Sequence, residues 1–325
     1  MTSAIDQYDV LIIGQGAAAF AAALYAARYQ MRTIVIGEMF GGETATGGLI
    51  ENYPGYPEID GYDLMVKFRE QAEKYEVPVV EDVVESIDRT AHCFEARTGS
   101  GEMYRGATVI LAVGRERRKL GLQHEDEWTG KGVSFCSTCD APLHRGNTVA
   151  VVGGGDAAVK GAVLLSKYAK RVYIVYRGAA FTRPEAANLR LLEESANVER
   201  LFNTKVIELK GEDGLSGLVL DQEVNGSAEL AVDGIFIEIG ADPRTELARQ
   251  LGTQLNEKDE IIVDRQMGTN VHGVFAAGDV TDAGGDLKQT LTAAAQGALA
   301  ATAAYADVSE HPEACEVHAV GFSLI

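Results

Sequence analysis

Two glycine-rich turns, each entered from an apolar run and left through an alanine-bearing one, constrain this chain more than any other feature. The first, Gly14-Gln15-Gly16-Ala17-Ala18-Ala19, follows Val10-Leu11-Ile12-Ile13 and opens an alanine-rich stretch to about Tyr29, with a second apolar run from Thr33 to Ile36. The second, Gly153-Gly154-Gly155-Asp156-Ala157-Ala158, follows Thr148 to Val152 and precedes a helical stretch to about Tyr168 and a strand from Arg171 to Tyr176. Strand, glycine turn, helix, strand is how a dinucleotide-binding unit begins. The first glycine permits the tight turn, the second admits a pyrophosphate to the backbone, and the third small residue lets the helix lie close to the sheet. The helix N-terminus then offers N–H groups and positive dipole to the phosphates. Gly14, Gly16 and Ala19 stand in these roles in the first turn, and Gly153, Gly155 and Ala158 in the second. Glu38, just past the second strand, is placed to bind a ribose hydroxyl. Two such turns predict two nucleotides, one per domain.

A chain of 325 residues is long enough for two cores. With 46% hydrophobic and 24% charged residues it has a soluble, globular composition, and Gly14, Gln296 and Gly297 interrupt its longest apolar runs. None reaches the roughly 20 residues that span a bilayer. The first ten residues hold Asp6 and Asp9 and no basic residue, so no signal peptide is visible and a cytoplasmic home is the default. A net charge of −19 repels nucleic acid, whose phosphates require clustered Lys and Arg. The acidity fits either a salt-adapted host or a basic-rimmed partner. The one dense basic run, Arg115 to Lys119, reads as a solvated connector.

Four cysteines are present, and Cys136 and Cys139 form a C-x-x-C. In a reducing compartment this spacing means redox catalysis or metal binding. Zinc normally needs four ligands, and neither a second C-x-x-C nor paired histidines at finger spacing occur, so no metal is expected. His124 and His144 read as surface residues. The spacing lets the two sulfurs bridge, and a helix N-terminus there would lower a thiol pKa. Asp140 follows directly, as an acid–base candidate or a helix cap. Cys93 reads as a small core residue, Cys315 as an inert tail residue or an auxiliary thiol, and Trp128 as packing near the domain connector.

Five segments occur in the order and spacing of one family: Gly41-Gly42-Glu43, Glu51-Asn52-Tyr53-Pro54-Gly55, Cys136-Ser137-Thr138-Cys139-Asp140, Gly153 to Ala158, and Ala276-Ala277-Gly278-Asp279-Val280. Over residues 8 to 305 the chain resembles the low-molecular-weight thioredoxin reductases. The resemblance implies an α/β fold of two Rossmann-like, three-layer nucleotide-binding domains, the second inserted in the first. Residues 1–119 and 244–325 would form a discontinuous FAD-binding domain. Residues 120–243 would form a pyridine-nucleotide-binding-like domain carrying the C-x-x-C. FAD would meet Gly14, Gly16, Ala19, Gly42, Glu43, Asn52, Gly278, Asp279, Lys288 and Gln289. By the same analogy Cys139 faces the flavin, Cys136 attacks the partner and Asp140 transfers the proton. Electrons would pass through FAD to the Cys136–Cys139 disulfide and on to thioredoxin or a similar small disulfide protein, in a homodimer. A flavin redox sensor without turnover is the alternative outside the enzymes.

The chain also departs from the family. Glu43 stands where Gln is usual, Ala141 where Gly is usual, and the stretch Thr281 to Lys288 looks slightly longer. The tail from Val308, with Cys315 and Phe322, has no counterpart. Relatives that use NADPH end the second strand of the inserted domain with His-Arg-Arg and a further Arg four residues later. Here Tyr176-Arg177-Gly178 is followed by Thr182 and Arg183. Only Arg177 matches, and Arg183 is one position out of register. NADPH would therefore rely on Gly153, Gly155, Ala158, Arg177 and Arg183. No acid ends the strand to support NADH. Relatives lacking the arginines take electrons from ferredoxin or another donor, so the donor is expected to be NADPH or a ferredoxin-like carrier.

Overall fold

The run before the first glycine turn becomes the strand Asp6–Ile13 in a computed structural model that describes residues 6–46, 49–90, 93–285 and 287–310. Cys315 and Phe322 lie outside the described residues. The strand lacks polar alternation because both of its faces are covered. Val10 and Ile12 join one buried cluster with the helices Ala17–Arg28 and Thr290–Glu310, while Leu11 and Ile13 join another on the opposite face. Continuously apolar strands of this kind belong to parallel sheets held between two layers. Val79–Glu81, Thr33–Gly37, Asp6–Ile13 and Met103–Leu111 lie side by side in that order, all parallel. The far edge of Met103–Leu111 is shared. Phe94–Thr98 pairs antiparallel with its first half, and Val274–Ala276 pairs parallel with its second. A segment from late in the chain thus completes a sheet begun at the N-terminus.

The residues between form a second unit. Two compact bodies are seen: one runs to Glu116 and resumes at Pro243, and the other is Arg117–Asp242. In the inserted unit five parallel strands follow the order Val133–Ser134, Gly234–Ile237, Thr148–Val152, Arg171–Tyr176, Val198–Phe202. Val149 and Val151 pack on the helix Asp156–Ser166. Ala150 and Val152 face a cluster shared with the antiparallel strands Val206–Gly211 and Leu215–Val224. Both units are therefore three-layered and Rossmann-like, the second inserted in the first, and each has its own cores. Trp128 is buried in the inserted unit beside Leu120 and Leu122.

The chain crosses between the units in two short strands, Arg115–Arg117 and Ala241–Pro243, which pair with each other. The basic run forms the first crossing, a connector as expected, with Arg118 and Lys119 exposed, and three of its cations are ion-paired as well. Arg115 meets Glu260 at 2.6 Å, Arg118 meets Asp242 at 2.6 Å and Lys119 meets Asp126 at 2.7 Å. In so acidic a chain each of these cations finds a carboxylate within reach. No helix of the described residues is long and apolar enough to cross a membrane.

Candidate functional site

Cys136 and Cys139 are joined as a disulfide, their Cα atoms 5.3 Å apart. Residues Ser137–Asp140 make one helical turn, and Cys136 caps it, its Sγ accepting the N–H of Cys139 at 3.1 Å. The cap is the cysteine, not Asp140, whose side chain makes no capping bond to the 3₁₀ turn Ala141–His144 that follows. Cys136 is half-buried and Cys139 exposed. Sequence reasoning missed what holds this turn. Ser134 Oγ accepts the N–H of Cys136 at 3.0 Å, and Ser137 Oγ donates to Glu238 Oε1 at 2.8 Å. Glu238 follows the strand Gly234–Ile237 and is also paired with Arg117 at 3.8 Å. Its one sequence signal is a carboxylate closing an apolar run. Gly161 lets the helix Asp156–Ser166 approach closely, since a Cβ there would lie 2.5 Å from Ser137 Oγ.

Neither histidine is simply on the surface. His144 is half-buried, its ring edge-on to Phe236 with centroids 5.1 Å apart. Burial pushes its imidazole below the ordinary 6.5, against the opposing pull of Asp140 and Asp233. His124 stacks on Trp128, with centroids 4.6 Å apart. Cys93 is buried as expected. Among the described residues no cluster of His, Cys, Asp or Glu is placed to hold a metal ion.

In the first unit the helix Ala17–Arg28 starts at Gly16 with no side-chain cap and no acid in its first turn. Its leading N–H groups have no intrahelical partner. Gly14 makes the turn at φ +120°, pressed so closely on the carbonyl of Ala112 that a Cβ would overlap it. Gly42 and Gly278 arrive from distant segments. A Cβ on Gly42 would lie 3.4 Å from Gly16 Cα, and one on Gly278 would lie 3.1 Å from Ala18 Cβ, whereas one on Gly16 would meet nothing within 4 Å. Asn52 Nδ2 donates to Gln289 Oε1 at 3.0 Å, joining two predicted contacts. Ala19 is buried, and Glu38 is exposed at the end of the second strand. Burial pushes the Asp279 carboxyl up, with Arg115 and Lys288 opposing and Glu43 and Glu260 adding to the rise. Lys288 Nζ sits 3.0 Å from Glu260 and also donates to the Thr281 carbonyl. Gln296, also missed, accepts the N–H of Gly278 at 2.7 Å and so fixes the Gly278–Asp279 turn. Its signal was present: a lone amide interrupting the apolar run after Leu291. An open backbone cradle at an uncapped helix start, with Gln15 Oε1 buried and lacking a hydrogen-bond partner among the described residues, fits a dinucleotide with an anionic pyrophosphate.

The second turn repeats the construction. Gly153 has φ +150° and lies against the Glu238 carbonyl, Gly155 caps the helix Asp156–Ser166, and Ala158 is fully buried. Arg177 and Arg183 are both exposed, Arg183 with φ +49°.

The family model for pyridine nucleotide-disulphide oxidoreductases matches residues 8–297. A thioredoxin reductase of Streptomyces clavuligerus is 39% identical over 306 residues, covering 91% of this chain and 92% of that protein. The solved thioredoxin reductase of Lactococcus lactis superposes with a TM-score of 0.85 at 34% identity, over 93% of this chain and 99% of that one. A ferredoxin-flavin thioredoxin reductase of Clostridium acetobutylicum reaches 0.52 at 30% identity, over 94% and 100%. The chain belongs to the pyridine nucleotide-disulphide oxidoreductases and, among them, to the thioredoxin reductase family. It is an FAD-dependent flavoprotein disulfide reductase.

Proposed function

We propose that the chain is a cytoplasmic, homodimeric reductase whose acceptor is thioredoxin or a similar small disulfide protein. The Cys136–Cys139 disulfide, set on a single helical turn in a nucleotide-binding-type unit, carries this reading. The Gly14–Ala19 turn, Gly42, Asn52 and the Gly278–Asp279 turn would hold FAD, which in its reduced form would supply the electron pair that opens the disulfide to a dithiol. In the dithiol state the Cys139 N–H favours a thiolate on Cys136. That thiolate attacks one sulfur of the acceptor disulfide, forms a mixed disulfide and releases one acceptor thiolate. Cys139 then attacks Cys136 Sγ, restoring the internal disulfide and releasing the second thiolate. Asp140, beside Cys139 in sequence, takes the proton from Cys139 and returns it to the leaving sulfur.

NADPH is the donor that family membership suggests. One observation favours a second reading, in which a ferredoxin-like carrier delivers the electrons. Gly178 and Thr182 stand where two arginines would grip the 2′-phosphate. Charge-assisted hydrogen bonds contribute about 1.5–3 kcal/mol each, so losing two weakens NADPH on the order of 10²–10⁴-fold. The test is anaerobic. Protein reduced with dithionite, which loads one electron pair on the flavin and one on the Cys136–Cys139 pair, and freed of excess reductant should yield four thioredoxin thiols per flavin reoxidised, and a yield of none would sink the acceptor reading. Reduced ferredoxin should bleach the flavin faster than NADPH or NADH; the reverse order returns the donor to NADPH.

A further inference from the structure

The strand Arg171–Tyr176 ends beside the second glycine turn, and its last side chain turns back over that turn. A Cβ built on Gly154 would meet Cδ1, Cε1 and Cε2 of Tyr176 equally closely, so the ring lies face-on upon the Gly154 backbone. A Cβ at Gly178 would lie 2.6 Å from Tyr176 Cε1 and 2.9 Å from Cζ. The ring thus packs closely on two glycines. Its hydroxyl is 2.8 Å from Thr182 Oγ1, and the Thr182 N–H donates to the Gly154 carbonyl at 2.7 Å. Farther along, Asp156 Oδ1, in the first turn of the helix, accepts from the Glu185 N–H at 2.7 Å and from Asn188 at 3.0 Å. The stretch from Thr182 to Glu185 is therefore tied to the turn and to the first turn of its helix.

We propose that Tyr176 closes the adenosine side of the nucleotide site of the inserted unit, covering the Gly154 backbone at the strand end that the adenosine ribose of NADPH or NADH must approach. The proposal deepens the donor reading above and rests on the second turn being the unit's nucleotide site. Gly155, the glycine that admits a pyrophosphate, stays open, whereas Gly154, between it and the strand end where the ribose binds, is covered by the chain itself. It also accounts for Gly178 in structural terms. An arginine restored there would drive its Cβ into the tyrosine ring, so the two missing phosphate ligands and the wedge form one device.

The test reads binding without turnover. Wild-type protein, Tyr176→Ala and Tyr176→Phe are titrated calorimetrically with 2′,5′-ADP and with ADP. Wild type should bind neither below about millimolar concentration, Tyr176→Ala should gain about tenfold or more for ADP, and Tyr176→Phe, which keeps the ring but loses its bond to Thr182, should gain only about threefold. Thr182→Val releases the ring without removing it and should gain about threefold, so the proposal stays testable if Tyr176→Ala fails to fold. Adding Gly178→Arg and Thr182→Arg should help 2′,5′-ADP only in the Tyr176→Ala background. Low-micromolar binding of either ligand to wild type would overturn the proposal. So would a Tyr176→Ala protein that melts like wild type and binds no better, or an unfolded Tyr176→Ala accompanied by no gain in Thr182→Val. Dithionite-driven thioredoxin reduction is measured alongside; its failure in wild type would strike the acceptor reading and leave the closed site standing.

Discussion

At the scale of single residues, the two sulfurs are not equivalent: Cys136 Sγ accepts the Cys139 N–H, and Cys136 is half-buried whereas Cys139 is exposed. Replacing either with serine leaves no second thiol to resolve a mixed disulfide. Cys136→Ser and Cys139→Ser should each lose reduction of a protein disulfide by at least about 10³-fold while retaining flavin that dithionite bleaches normally. Near-wild-type turnover in either would remove the pair from the reaction. His144 gives a pH signature. Because burial depresses its folded pKa, the unfolded chain binds its proton first. Its contribution to stability is therefore complete above the ordinary 6.5 and is lost as pH falls below it. His144→Phe keeps a ring against Phe236 but cannot titrate. The drop in melting temperature between pH 7.5 and 5.5 should be smaller in the variant, and an unchanged drop would assign the effect elsewhere.

At the scale of elements, the two glycine turns offer a matched pair of substitutions. Each first glycine has positive φ and lies against a carbonyl just past the end of a neighbouring strand, Ala112 for Gly14 and Glu238 for Gly153. Alanine pays a left-handed backbone penalty of about 1–3 kcal/mol before any overlap is relieved. Gly14→Ala should purify depleted of flavin, measured as the ratio of flavin to protein absorbance. Gly153→Ala should keep its flavin and instead slow disulfide reduction, because the displaced Glu238 also holds Ser137 of the dithiol turn. Equal flavin loss in both would contradict the separation of their roles. These turns were legible because strand, turn and helix are contiguous and their spacing encodes the backbone. The same holds for the C-x-x-C. Glu238, Gln296 and Glu260 were not legible as partners, because each acts through a hydrogen bond or ion pair to a segment 18 to 145 residues away. No local period records such a pairing. Tyr176 shows the limit most clearly: its sequence reads as the apolar end of a strand, and only the folded backbone brings its ring onto Gly154.

At the scale of the whole molecule, the insertion predicts that the first unit is complete without the second. Its sheet closes when Val274–Ala276 joins Met103–Leu111, and its buried clusters draw no residue from Arg117–Asp242. Arg115, Glu260 and Lys288, which surround the Asp279 turn, belong to it as well. The cut ends are neighbours. The crossing strands pair side by side, at the roughly 4.8 Å spacing of adjacent strands, and the Arg244 N–H donates to the Gly114 carbonyl at 3.1 Å. Excising Arg117–Asp242 and joining Glu116 to Pro243 through a short glycine-serine linker should therefore cost little loop entropy. The product should be yellow, melt cooperatively, bleach with dithionite and reduce no protein disulfide. A colourless or aggregated product would mean that the flavin unit depends on the inserted one, and the two would then have to be treated as a single folding body.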